Sequence, residues 1–169
     1  MKTLLIYSSR TGNTKKVAEA IGETLQVTPV PVEENPSPDD FDLIVAGYWV
    51  DRGSADGQMK AYLSRITGKK VALFATLGAE PDSEHAAKCL ENGAALLGTG
   101  SEVVGKFICQ GKVAPEMVDM MKKMFPAGHP HAMTPERLAR IERAASHPDA
   151  ADLAAAKAYF GNLRKAMLA

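Results

Sequence analysis

Apolar residues in this chain fall into two kinds of stretch that alternate from its start. Short runs at Lys2–Ser8 (KTLLIYS), Asp42–Trp49 (DLIVAGYW), Lys69–Gly78 (KKVALFATLG) and Glu102–Gly111 (EVVGKFICQG) are apolar almost throughout. That is the pattern of strands buried on both faces of a parallel sheet. A weaker run, Gln26–Val32 (QVTPVPV), carries Pro29 and Pro31, which have no N–H for a central ladder, so it belongs at a sheet edge. The intervening stretches have helical spacing instead. Asn13–Leu25 sets Val17, Ala18, Ile21 and Leu25 on one face, and Ser54–Ile66 offers Met59, Tyr62, Leu63 and Ile66. Pro81–Gly98 begins with a Ser or Asp cap, has Glu84 early, and ends at a glycine.

Strands alternating with helices predict right-handed crossovers and a parallel sheet covered on both faces, the doubly wound α/β class. The C-terminal part departs from that alternation. Pro126, Pro130 and Pro135 punctuate a loop, Thr134-Pro135-Glu136 is a good helix start, and a helix from Pro135 to about Ala145 exceeds what a minimal five-stranded domain requires. Pro148-Asp149 then opens a last amphipathic helix with Leu153, Ala156, Tyr159, Phe160 and Leu163 spaced for packing.

At 169 residues the chain suits one compact domain, 1–169, with a sizeable core. Lys plus Arg and Asp plus Glu each number 20, and this zero balance argues against a broad nucleic-acid surface. No apolar run approaches the roughly 20 residues of a membrane span. The first residues are too briefly apolar for a signal peptide, and Cys89 and Cys109 form no C-x-x-C pair, so a cytoplasmic protein is expected.

The first strand enters its helix through Ser8-Ser9-Arg10-Thr11-Gly12-Asn13-Thr14. A helix start offers N–H groups without carbonyl partners and a dipole that favours negative charge, so a phosphate is its natural occupant. The four hydroxyls add donors, Gly12 allows close backbone approach, and Asn13 adds an amide. Neither a Walker A lysine nor G-x-G-x-x-G is present. The alternative is a helix capped by Thr11 or Asn13 with nothing bound.

The loop resembles the phosphate loop of flavodoxins, Ser/Thr-x-Thr-Gly-x-Thr after the first strand, with Ser9, Thr11, Gly12 and Thr14 matching. The resemblance covers about the first 125 residues and resumes in the last helix. It implies a flavodoxin-like five-stranded parallel sheet of order 2-1-3-4-5, helices on both faces, an extra C-terminal helical segment, and FMN held noncovalently at the switch point. It also implies an electron carrier working between redox partner proteins, a donor reductase and an acceptor enzyme. An FMN-dependent reductase of a quinone or other small acceptor, and a flavin-free interaction domain, are the alternatives.

Site residues follow from the same resemblance. Ser8, Ser9, Arg10, Thr11, Gly12, Asn13 and Thr14 would cradle the phosphate. Tyr48, Trp49, Val50, Asp51, Arg52 and Gly53 would flank the ring after the third strand, with Trp49 stacked on its inner face. Thr76, Leu77, Gly78 and Ala79 would serve the pyrimidine edge after the fourth. Glycine appears only at Gly53 in the second loop, and Arg52 stands where flavodoxins generally carry acidic residues, so it would favour the anionic reduced ring. No aromatic lies between Ala75 and Pro81 to cover the outer face.

Other clusters carry less. His129-Pro130-His131 reads as a proline-stiffened loop, His147 as a helix-start junction, and Cys89 with His85 as one packed helix. Met117, Met120, Met121 and Met124 read as core, with an adaptable partner contact as the alternative.

Overall fold

The computed structural model describes residues 1–169. Its elements run β1 (Thr3–Tyr7), α1 (Asn13–Leu25), β2 (Val30–Pro31), β3 (Leu43–Asp51), β4 (Ser54–Ala55), α2 (Gly57–Leu63), β5 (Lys70–Leu77), α3 (Glu84–Ala94), β6 (Glu102–Gln110), α4 (Pro115–Met124), α5 (Pro135–Ala144) and α6 (Ala150–Leu168). Five strands pair in parallel in the order β2-β1-β3-β5-β6, which is the expected 2-1-3-4-5 sheet once the short β4 is set aside. No helix is long and apolar enough to cross a membrane.

Alternation along the strands sorts the core into two layers. Leu5, Tyr7, Leu43, Val45, Ala72 and Phe74 pack against Val17, Ile21 and Leu25 of α1 and Ala156 and Phe160 of α6. Leu4, Ile6, Ile44, Ala46, Leu73 and Ala75 pack on the opposite side with Met59 and Leu63 of α2 and Leu90 of α3. Gly47 is required where Phe74 crosses it, since a Cβ there would lie 2.0 Å from the Phe74 ring.

Three predicted boundaries shift, and the helix expected to run to Gly98 already ends at Ala94. The helix expected from Ser54 begins at Gly57, because Ser54 and Ala55 turn back to pair antiparallel with Asp51 and Val50 of β3. The intervening Arg52 and Gly53, at φ 50° and 77°, form the left-handed pair that such a two-residue hairpin needs. The edge strand shrinks to Val30–Pro31. The C-terminal helices start where the caps indicated, α5 at Thr134 and α6 at a reciprocal Asp149–Asp152 capping box.

Helices α4 and α5 contribute to neither layer. Helix α4 follows β6 and buries none of its residues. The methionines read as core are therefore not core: Met120 is 45% and Met124 60% exposed.

Candidate functional site

The carboxyl ends of β1, β3, β5 and β6 open into a cleft of about 570 Å³. Its walls include Arg10, Thr11, Asn13, Trp49, Val50, Asp51, Arg52, Thr76, Leu77 and Gly78, so residues from all three loops named from the sequence meet at one place. A crevice outside the carboxyl ends of parallel strands is where open α/β sheets bind ligands.

The loop after β1 has the donor geometry of an anion site. Gly12 sits at φ 97°, a left-handed angle that favours glycine, and caps α1 without a side-chain bond, so neither Thr11 nor Asn13 fills the capping role. The amides of Gly12 and Lys15 converge on the Ser9 hydroxyl oxygen at 3.1 and 3.3 Å. The amides of Thr11, Asn13 and Thr14 donate to no acceptor within the chain. A cluster of backbone donors at a helix start suits a phosphate monoester. Asn13 supports the loop from the side, its Nδ2 donating to the Lys112 carbonyl at 2.9 Å.

Several predicted residues are committed elsewhere. Ser8 is fully buried, and its hydroxyl donates to Asp56 Oδ1 at 2.8 Å. Thr14 is also buried, its hydroxyl paired with that of Thr76 at 2.9 Å, which ties the start of α1 to the end of β5. Tyr48 does not face the cleft. Neighbouring strand residues point to opposite faces, so Tyr48 joins Ile44 and Ala46 beneath α3 and donates its hydroxyl to the Cys89 carbonyl at 3.0 Å. Burial pushes its phenol pKa well up. Trp49, one residue on, lines the cleft and is half-buried. Gly53 holds the hairpin, its carbonyl accepting from Asn92 Nδ2 at 2.8 Å, and Ala79 lies outside the cleft lining.

Asp56 sits behind the loop and links it to the hairpin. It is 1% exposed and caps α2 by accepting from the Met59 amide at 3.2 Å, while its Oδ2 has no hydrogen-bond partner. Burial raises its carboxyl pKa and outweighs the bonds from Ser8 and the backbone that act to lower it.

The cleft contains more than the sequence indicated. Gly111, Lys112, Val113 and Ala114 enter from the end of β6, Met117, Met120, Met121 and Met124 from α4, and Phe125 from just after it. The methionine spacing of i, i+3, i+4, i+7 was a visible helical face, and the strand-end rule pointed to β6 as much as to β5. Arg10 is the guanidinium against the tryptophan. Its Cζ lies 5.7 Å from the Trp49 ring centroid, and its Nη1 lies 3.4 Å from Met117 Sδ. Arg52 is exposed on the cleft rim and pairs with neither Asp51 nor Asp56.

The remaining clusters lie outside the cleft lining. Cys89 is buried, its thiol pKa is raised by that burial, and its Sγ lies 3.6 Å from His85 Nε2. His129 and His131 pack their rings near Phe125, with centroids 4.8 and 5.6 Å from it. His147 pairs with Asp152 at 2.6 Å inside the α6 cap.

The family model for the flavodoxin domain matches residues 4–161. This chain belongs to the flavodoxin family. It is 34% identical over 169 residues to the flavodoxin-like domain-containing protein BilS of Clostridioides difficile (strain CD3), covering 96% of each chain. It is 27% identical over 175 residues to the BilS protein of Clostridium symbiosum (strain WAL-14163), covering 92% of each. Among solved structures it shares its fold with flavodoxin 1 of Bacillus cereus, at TM-score 0.56, 15% identity and 98% of each chain. It also resembles a WrbA-like flavodoxin of Agrobacterium tumefaciens, at TM-score 0.58, 16% identity, 97% of this chain and 95% of that one. The flavodoxin fold thus accounts for the sheet, α1 and α6, and its switch point is the cleft bounded here by the Ser9–Thr14 loop and Trp49.

Proposed function

We propose that this flavodoxin-family chain binds FMN and carries electrons between a donor reductase and an acceptor enzyme. One observation carries the reading: Thr11 and Asn13, whose amides are unpaired, and the Trp49 side chain border the same strand-end cleft. A phosphate held at one end and a flat apolar ring at the other match those two surfaces. When bound, FMN supplies the electron chemistry. The protein's part is to anchor the phosphate through backbone donors, stack the ring and set its electrostatics. Arg10, Arg52 and Lys112 stand on the cleft against the single carboxylate of Asp51, a balance that favours the phosphate and the anionic reduced ring.

The test is reconstitution. The purified chain mixed with FMN is expected to show a flavin visible spectrum and to pass electrons from a flavodoxin reductase to an acceptor. A chain that takes up no FMN would sink this reading and leave a flavin-free interaction domain.

A second reading, direct reduction of a quinone or similar acceptor, is favoured by the apolar extension of the cleft along Met120, Met121, Met124 and Phe125. Rapid NAD(P)H-dependent quinone reduction without any partner protein would select it over the carrier.

A further inference from the structure

Helix α4 presents four methionines on one face, and that face borders the cleft rather than a packed layer. Met120 and Met124 are exposed and Met117 and Met121 only half-buried, so this face leaves apolar surface uncovered, which calls for an occupant. The position of Arg10 indicates which. Its guanidinium, a flat group, spans the gap between the Trp49 ring and the Met117 sulfur, 5.7 Å from the ring centroid and 3.4 Å from the sulfur. The tryptophan and the thioether therefore face a shared space that one planar group can bridge.

Resting on the FMN reading above, we propose that the Met117/Met121 face of α4 is the outer wall of the flavin site, and that the ring displaces Arg10 from Trp49 as it enters. Thioethers suit this role because methionine is flexible and polarizable and can pack against a guanidinium or an aromatic ring alike. The wall comes from the segment after β6, so it needs no aromatic after β5, where none occurs between Ala75 and Pro81. The helix is tethered near its start. The Lys112 carbonyl accepts from Asn13, and the Lys112 amide donates to the His147 carbonyl at 2.8 Å. Phosphate loop and outer wall are thus linked through a single residue.

The wall and the phosphate loop act on different parts of the ligand, which separates them experimentally. Affinities for FMN and for riboflavin, which lacks the phosphate, are measured by fluorescence titration of the wild-type chain, Met117→Ser, Met121→Ser and Arg10→Ala. Each methionine substitution is expected to weaken both ligands by the same factor, about two- to ten-fold, leaving the FMN-to-riboflavin ratio as in wild type. Arg10→Ala is expected to speed riboflavin association, since no side chain then has to leave Trp49. Amide exchange of residues 117–124 in the wild-type chain, which needs no variant to fold, is expected to slow when FMN is added. Methionine variants that bind both flavins as the wild type does, or exchange over α4 indifferent to FMN, would overturn the wall while leaving the FMN reading standing. A wild-type chain that binds neither flavin would overturn both.

Discussion

Asp56 is the most informative position for a stability measurement, because burial and hydrogen bonding oppose each other there. The carboxylate accepts from Ser8 and from Met59 through Oδ1, yet Oδ2 is buried without a partner. A buried polar atom left unpaired costs about 1–3 kcal/mol, more when charged, whereas each bond made returns about 1 kcal/mol. The net effect is a carboxyl pKa raised above the ordinary 3.8, with burial the leading cause. For an acid this sign is destabilising at neutral pH. Between 3.8 and the raised folded value the native state holds more protons than the unfolded chain, so stability falls as pH rises through that window. Asp56→Asn keeps the Oδ1 acceptor for Ser8 and Met59 and removes the charge. We expect it to stabilise the protein by about 1 kcal/mol at pH 7, or roughly 2–4 °C in Tm for a chain of this size. The gain should shrink toward zero as pH falls below 3.8, where Asp56 becomes protonated in both states. Asp56→Ala loses the cap and the Ser8 bond and should cost about 2 kcal/mol. Thermal melts followed by circular dichroism from about pH 3 to pH 8 decide the matter. An Asn variant that is less stable than wild type by the same amount at every pH would show that the buried charge is satisfied, and would refute the reasoning.

Three further outcomes follow from the packing. Gly93→Ala would place a Cβ 2.3 Å from the Tyr48 hydroxyl, so we expect a loss of about 1–3 kcal/mol, and an unchanged melt would contradict the placement of Tyr48 beneath α3. Trp49→Leu should weaken FMN about two- to ten-fold by titration, while Tyr48→Phe should lower Tm by about 2–4 °C and leave FMN affinity unchanged; equal effects on affinity would refute the assignment of the two aromatics to opposite faces. His147 has its pKa raised above 6.5, chiefly by its hydrogen bond to Asp152, with Asp149 and Glu80 adding attraction. Its contribution to stability is complete below 6.5 and is lost as pH rises through the folded value, so His147→Gln should flatten the Tm profile over that interval, and a profile identical to wild type would show that the pair contributes nothing.

The chain order alone specified whatever depends on neighbours in sequence. Buried runs, helical spacing, the caps at Thr134 and Asp149, and the turn at Ser9–Thr14 are local patterns, so the strands, the helices and the loop into α1 could be read from residues a few positions apart, whereas the sheet order was implied only by the resemblance to flavodoxins. Even the separation of Tyr48 from Trp49 was available in principle. It needed only the period of two to be carried from Ile44 and Ala46 to the end of the strand, and the attraction of two adjacent aromatics obscured that parity. Tertiary structure decided what joins distant segments. Ser8 is spent on Asp56, 48 residues away, and Thr14 on Thr76, 62 away. Arg10 reaches Met117 across 107 positions, and Met117, Met120, Met121 and Met124 face a cleft instead of a core. An apolar helix face looks the same in sequence whether a sheet or a ligand covers it. Only the folded chain, by filling both faces of its sheet with α1, α6, α2 and α3, leaves α4 with the cleft as its neighbour.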